Sequence, residues 1–220
     1  FSIDRLPTIE ETADALRLPV LTKDGSSIPF GFVLSDLSSP MGERPVKIIV
    51  CFIRHFLCPL CQDYMYSIGQ SIDPEALEMA GISLVIVGNG GWEMIQSYRR
   101  IFKLPYPIYT DPTAALHTAL GMTMRTLDPG PKFHPPSVPE SFGSGTYVQH
   151  TSLASGISLV LRNAVKAHMP IWKYMGDKAL LGGEFIFVKS ARDSDIKCVW
   201  AHRMRYTTAH EGIVNVVEEA

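Results

Sequence analysis

The stretch IIVCFIRHFLCPLCQDYM, Ile48 to Met65, decides how the rest of the chain is read, and it holds three of the four cysteines, Cys51, Cys58 and Cys61. Val46 to Phe56 is apolar at nearly every position, with Lys47, Arg54 and His55 as the exceptions. A strand with one wet face alternates apolar and polar residues. A run without alternation reads as a central strand covered on both faces. Beyond it, Tyr64, Met65, Ile68 and Ile72 recur at helical spacing, which predicts a helix from Cys58 to about Ala80. The sequence Cys58-Pro59-Leu60-Cys61 therefore falls on a strand-to-helix junction. Cys58 takes the cap position and Pro59 the first helical position, where a proline fits because its missing N–H would have no intrahelical partner.

Upstream, Thr8-Ile-Glu-Glu-Thr opens a helical pattern over 8–18, and Val20 to Phe30 sets two short β-prone pieces around Asp24-Gly25, a hairpin signal. Downstream, Ile82 to Gly88 reads as a second buried strand. Gly88-Asn-Gly-Gly91 then turns into a helix carrying Trp92, Ile95, Tyr98, Arg99 and Phe102. Pro105 to Pro112 is a short strand and turn, and Thr113 to Gly121 a short helix. Gly182 to Val188 and Lys197 to Met204 read as paired strands, and a last helix runs from about His210 to Glu218. Strand–helix–strand–helix calls for right-handed crossovers and a parallel sheet with helices on both faces, and the closing hairpin adds antiparallel strands. The expected fold is α/β and thioredoxin-like: one domain over 1–220, a mixed central sheet and an N-terminal β-hairpin extension.

Leu127 to Gly156 interrupts this order with Pro129, Pro131, Pro135, Pro136 and Pro139. A loop of that length without structure of its own is uncommon in a compact domain. A helical pattern follows, with Leu153, Ile157, Val160, Leu161, Ala164 and Val165. Residues 127–180 read as a long Pro-rich insertion, either a surface elaboration or a lid or extra helix over the CPLC end of the sheet. Phe133, Phe142 and Tyr147 would make such a lid apolar.

Apolar residues are 46 % of the 220, ample for a packed core. The formal charge of −2 and the absence of a basic block argue against nucleic acid. No apolar run reaches the roughly 18 residues a membrane span needs. Three cysteines within eleven residues are not the spread of a secreted disulfide scaffold, so the default is a reducing compartment, the cytoplasm. The chain opens on Phe1, not Met, which leaves room for a native N-terminus upstream and a removed targeting segment.

At a helix start, unpaired backbone N–H groups and the positive end of the dipole point at the cap. A Cys58 thiolate is favoured there and its pKa falls. Arg54 and His55 would add positive charge, and strand alternation predicts that only one of them faces Cys58. Cys61 lies one helical turn on, so a Cys58–Cys61 disulfide is sterically reasonable. Cys58 would attack a peroxide oxygen or a disulfide sulfur, Cys61 would attack Cys58, and an external reductant would reset the pair. Two other readings stand beside this one. Zinc needs four ligands, commonly as two spaced pairs, and only Cys51, Cys198 and a badly placed His55 are on hand, so no metal is expected. The two thiols could also be inert core residues, as Cys51 and Cys198 are read to be.

The segment Arg54-His55-Phe56-Leu57-Cys58-Pro59-Leu60-Cys61 resembles the active-site segment of the peroxiredoxin-like proteins of the AhpC/TSA group. These have a thioredoxin fold, and their members include a prostamide/prostaglandin F synthase whose subgroup reads Arg-Arg-Phe-Gly-Cys-x-x-Cys. YTDPTAALHTALGM is similar to the family's aspartate-proline helix start, GDKALLGGEFIFV to its Gly-Gly strand, and WAHRMRYTTAHEGI to its closing His-Arg and Ala-His segment. The chain departs from common peroxiredoxins in carrying His55 in the Thr/Ser place, Cys51 in the Pro place, and Gly182 or Gly183 where they carry an arginine. It departs from the subgroup at His55 and Leu57.

The resemblance implies a thiol-dependent oxidoreductase, antioxidant in type, that reduces a peroxide or endoperoxide of an apolar small molecule. It implies Cys58 as nucleophile, Cys61 as resolving thiol, and Arg54 and His55 as groups that tune the site. It places Phe56, Leu57, Gly182, Gly183, Arg203 and His210 around the substrate. No bound cofactor is expected; thioredoxin or a similar dithiol would supply electrons, and a homodimer is allowed. A different reading keeps the fold and makes the protein a non-redox enzyme or small-molecule binder of specialised metabolism, with an apolar pocket near the CPLC. A weaker third is a redox-regulated interaction protein. Read without the family, His202, Arg203, Arg205 and His210 are an exposed strand edge and helix start, and Tyr109-Thr110-Asp111 is a turn and helix cap. Gly88 to Gly91 lacks the phosphate-loop pattern.

Overall fold

In the structure, a computed structural model that describes residues 1–36, 46–130, 147–149, 153–190 and 195–220, the run that begins at Val46 forms strand β3 (Val46–Phe52). Its side chains alternate between two cores. Ile49 and Cys51 enter one, and Ile48, Val50 and Phe52 the other, which is why the strand has no polar face. β3 pairs in parallel with β4 (Ile82–Gly88), and β4 in parallel with β5 (Ile108–Thr110). On its other side β3 pairs antiparallel with β6 (Gly183–Lys189), which pairs antiparallel with β7 (Ile196–Arg203). β1 (Pro19–Leu21) and β2 (Ser27–Pro29) form an antiparallel hairpin that joins β5, so the order is β2-β1-β5-β4-β3-β6-β7. This is a mixed sheet of the thioredoxin type.

α1 (Ile9–Arg17), α2 (Phe30–Asp36) and α6 (Ala115–Ala119) bring Ala15, Phe30, Val33, Leu34 and Leu116 to one core. α1 starts on a capping box, with Thr8 Oγ1 accepting from Glu11 N–H at 3.1 Å and Glu11 reaching back to Thr8 N–H at 2.8 Å. α3 (Pro59–Ser71), α5 (Ile95–Phe102), α7 (Leu153–Lys166) and α8 (Ile213–Glu219) cover the other core. Within the Pro-rich segment, 131–146 and 150–152 lie outside the described residues, and with them Phe133 and Phe142. Tyr147 is described and buried.

Three boundaries differ from the sequence expectation. The helix after Cys58 does not reach Ala80: it ends at Ser71, and Asp73 caps a separate α4 (Pro74–Met79). Pro74 cannot donate into a continuing helix and pushes the residue before it out of helical geometry. The last helix begins at Ile213, not His210, so 204–212 form a loop that turns inward. β3 ends at Phe52, which frees Arg54 and His55 from strand alternation.

Gly182 and Gly183 are demanded by close approach of backbones. A Cβ on Gly182 would lie 1.8 Å from the Phe52 carbonyl oxygen, and one on Gly183 would lie 2.3 Å from that of His202. Gly182→Ala therefore has to push two central strands apart. It is expected to lower stability by about 3 kcal/mol or more, read as a fall in the urea midpoint at constant slope. A midpoint within error of wild type would contradict this packing.

Candidate active site

Cys58 sits where β3's turn enters α3, as the N-cap residue in extended geometry, with Pro59 at the first helical position. Its Sγ accepts the Cys61 backbone N–H at 3.4 Å, the free donor of a first helical turn. From the turn before it, Arg54 Nη1 donates to the same sulfur at 3.1 Å. Arg54 is 4 % exposed, and its guanidinium needs partners for its other donors. Arg54 Nε donates to the Leu180 carbonyl at 3.4 Å and Nη2 to that of Lys178 at 2.5 Å.

The segment just before those carbonyls is held by the turn after β4. Asn89 Oδ1 accepts from Asp177 N–H at 2.7 Å, Gly91 N–H donates to the Tyr174 carbonyl at 2.6 Å, and Asn89 Nδ2 donates to that of Asp111 at 2.6 Å. Gly176 adopts φ +100°, and a Cβ there would meet Asn89 O at 2.3 Å. The Gly88–Gly91 stretch is thus a dock for 174–177, which aims the carbonyls that aim Arg54.

Burial alone would raise the Cys58 pKa. The hydrogen bond from the Cys61 thiol, the Arg54 charge, and the Cys61 N–H outweigh it and hold Cys58 well below the usual thiol range. Burial, together with the neighbouring Cys58 thiolate, pushes Cys61 well above it. All four cysteines are free thiols in this structure. Burial pushes the His55 imidazole pKa down, which weakens its pull on Cys58. Its Nδ1 has no hydrogen-bond partner among the described residues.

Cys61 faces a second constellation. Its Sγ lies 3.6 Å from His210 Nε2, and the His210 ring stacks on Tyr64 at 4.3 Å and 3°. His210 Nδ1 is 2.5 Å from Glu184 Oε1; Glu184 Oε2 accepts from Glu211 N–H at 3.2 Å and lies 2.9 Å from His202 Nδ1. Tyr147 Oη accepts the His210 backbone N–H at 3.2 Å and donates to the Thr208 carbonyl at 2.7 Å. Burial opposes the charge on fully buried Glu184, but His210 and His202 keep its pKa down at about 2.

A cavity of about 370 Å³ opens above Cys58. Arg54, His55, Leu57 and Cys58 line one wall; Ile157, Val160 and Leu161 of α7, with Leu127, Met175 and Lys178, line the other. Both Arg54 and His55 reach it, contrary to the alternation argument, because they lie in a turn and not on the strand.

The remaining residues expected around a substrate lie elsewhere. Phe56 is buried, packing edge-on against Tyr98 at 5.1 Å and into the space left by Gly88. Gly182 and Gly183 serve strand contact. Arg203 is 2 % exposed, not at an exposed edge: Nε donates to the Leu120 carbonyl and Nη1 to that of Arg5, each at 2.7 Å, over the Phe185 ring. His210, 1 % exposed, is likewise no surface residue and meets Cys61 rather than the cavity. Sequence reasoning missed Glu184, Asn89 and Gly176. Glu184 left one signal, a carboxylate inside the apolar strand GGEFIFV; the carbonyls of Lys178 and Leu180 left none. Among the described residues no group of three or more His, Cys, Asp or Glu side chains is set to hold a metal ion, and no helix is long and apolar enough to cross a membrane.

A stabilised thiolate at the first turn of a helix, on a mixed thioredoxin-type sheet, defines the class of a thiol-dependent oxidoreductase. Residues 71–206 match the family model of the AhpC/TSA antioxidant enzymes, and the chain belongs to that family. The matched span begins after Cys61. Human peroxiredoxin-like 2C is 27 % identical over 206 residues, 94 % of this chain and 78 % of that protein. A chloroplastic thioredoxin-like protein of Arabidopsis thaliana is 31 % identical over 110 residues, 50 % of this chain and 40 % of that protein. Xanthomonas campestris peroxiredoxin Q superposes with a TM-score of 0.51 at 12 % identity, covering 97 % of this chain and 91 % of that one, a likeness of fold.

Proposed function

We propose that the protein is a thiol peroxidase for apolar hydroperoxides or endoperoxides, with Cys58 as the attacking thiolate and Cys61 as the resolving thiol. The observation that carries this is the Cys58 sulfur held by Arg54 at 3.1 Å beneath a cavity walled by Leu57, Ile157, Val160 and Leu161. The Cys58 thiolate attacks one peroxide oxygen of ROOH; the O–O bond breaks, the alkoxide takes a proton and leaves as ROH, and Cys58 becomes a sulfenic acid. Cys61 then displaces that oxygen as water and forms the Cys58–Cys61 disulfide. A dithiol of the thioredoxin kind reduces the disulfide and is itself oxidised. This cycle uses no bound cofactor. In this reading 1–220 act as one domain, and the 127–180 insertion, through its helix α7, serves as a lid or an extra helix beside the cavity. Cys58 is buried and lines the cavity, which is the route by which a peroxide reaches it.

The test compares cumene hydroperoxide with hydrogen peroxide, using thioredoxin as reductant. Burying an apolar group the size of a leucine side chain contributes roughly 1.5–3 kcal/mol, so kcat/KM is expected to favour the apolar peroxide by about 10- to 100-fold. Leu161→Asp places a charge on that wall at a half-exposed position the fold tolerates, and is expected to erase most of the preference. Equal kcat/KM for both peroxides in the wild type would refute the apolar substrate; no turnover of either would refute the peroxidase.

A further inference from the structure

We infer that His210 is the base that takes the Cys61 proton when the Cys58–Cys61 disulfide closes, with Glu184 as the residue that positions it. This rests on the redox reading of the pair and adds a second acid–base centre, behind the resolving thiol. Glu184 Oε1 accepts from His210 Nδ1–H at 2.5 Å, so in the neutral imidazole it is Nε2 that carries the lone pair, 3.6 Å from Cys61 Sγ. His202 and the Glu211 N–H occupy the other carboxylate oxygen, so Glu184 is locked from both sides. Stacking on Tyr64 and the Tyr147 contact to its backbone fix the ring's plane. An accident of packing would not supply every polar atom of a buried Glu–His pair with a partner and still leave one nitrogen aimed at a reacting sulfur.

The arrangement also sets the order of events. While Cys58 is a thiolate, the Cys61 thiol donates to it, and Cys61 keeps its proton. Attack on the peroxide turns Cys58 into a neutral sulfenic acid and removes the charge that held that proton. The Cys61 S–H then turns to His210 Nε2. The Cys61 thiolate attacks the Cys58 sulfur, the S–S bond forms, the S–O bond breaks, and the oxygen leaves with the proton as water. Cys61 cannot consume its proton early, and it is not left as an inert buried thiol afterwards. The groups that face Cys61 and His210 are Cys58, Arg54, Glu184, Tyr64, Tyr98 and Tyr147, with His202 one step further. Burial pushes all three tyrosines above their ordinary range, so they do not titrate near neutral pH.

The experiment is a single turnover of the full chain with one equivalent of cumene hydroperoxide, quenched into dimedone and read by mass spectrometry for Cys58 sulfenic acid and Cys58–Cys61 disulfide. In His210→Asn the ratio of disulfide closure to sulfenic acid formation is expected to fall about 100-fold, the low end of general base catalysis, and in Glu184→Gln by about 10-fold. In the wild type the closure rate should follow the loss of the His210 proton, tracked by nitrogen-15 NMR, and then level off. In His210→Asn it should climb with pH without a plateau. Wild-type ratios in both variants would overturn the inference. So would a wild-type closure rate that rises tenfold per pH unit straight through the His210 titration, a readout that stands even if His210→Asn does not fold. A wild type that never yields a dimedone adduct at Cys58 overturns the redox reading itself, and this base with it; a normal adduct with unaffected closure overturns the base alone.

Discussion

Cys58→Ser is expected to abolish peroxide turnover, by on the order of 10³-fold or more, with the fold intact. A serine hydroxyl at this cap remains protonated and is a far weaker nucleophile than a thiolate. Yet serine is among the best helix-capping residues, so α3 keeps its first turn. Cys61→Ser separates attack from resolution. It should consume one equivalent of peroxide, stop, and leave Cys58 as a sulfenic acid that dimedone traps. Steady-state turnover with thioredoxin and a one-equivalent burst assay read the two variants side by side. Full turnover in both would remove the CPLC from the chemistry and favour a binder or a non-redox enzyme on this fold.

Arg54→Met is expected to lower the rate at neutral pH by about 100-fold, with much of it regained in alkaline solution. Each unit by which the Cys58 pKa climbs above the working pH leaves tenfold less thiolate, and the variant loses the Arg54 donor on the sulfur. The sign is that of an acid whose folded pKa lies below its unfolded value. In the wild type, ionisation of Cys58 adds stability that is full above the unfolded thiol's pKa of about 8.5 and is lost as the pH falls through the folded one. In Arg54→Met that gain shrinks, and the rate–pH profile moves toward higher pH. Thiolate absorbance and kcat/KM, each followed against pH, should shift together. Arg54→Lys should fall between, since an ammonium supplies charge but cannot span the sulfur and the carbonyls of Lys178 and Leu180 at once. An unshifted profile in Arg54→Met would mean that the helix terminus alone sustains the thiolate.

Much of this architecture is written in local pattern. The two-sided apolar run that begins at Val46, the second at 82–88 and the Asp24-Gly25 turn each depend on residues within a few positions of one another, and each forms where its pattern starts it, although the first ends at Phe52 and not at Phe56. The cap at Cys58 is equally local, because N-cap geometry and the proline after it are decided within one turn. Where local pattern misled, a competing local rule had been underweighted: Pro74 ended a helix that apolar spacing carried on to Ala80, and the strand's end at Phe52 released Arg54 and His55 from alternation.

Sequence by itself determined that a paired thiol stands at the start of a helix on a mixed sheet, since strand, cap and proline are neighbours in the chain. Only the tertiary structure decided what surrounds the two sulfurs. Arg54 is aimed by carbonyls 124 and 126 residues away, and Cys61 meets His210, 149 residues on. Glu184 binds a histidine 26 residues further along, while Arg203 is drawn off by carbonyls near the N-terminus. A buried charge goes where its hydrogen bonds can all be met, and the partners that meet them are brought together by the closing of the sheet and the packing of its helices, not by spacing along the chain.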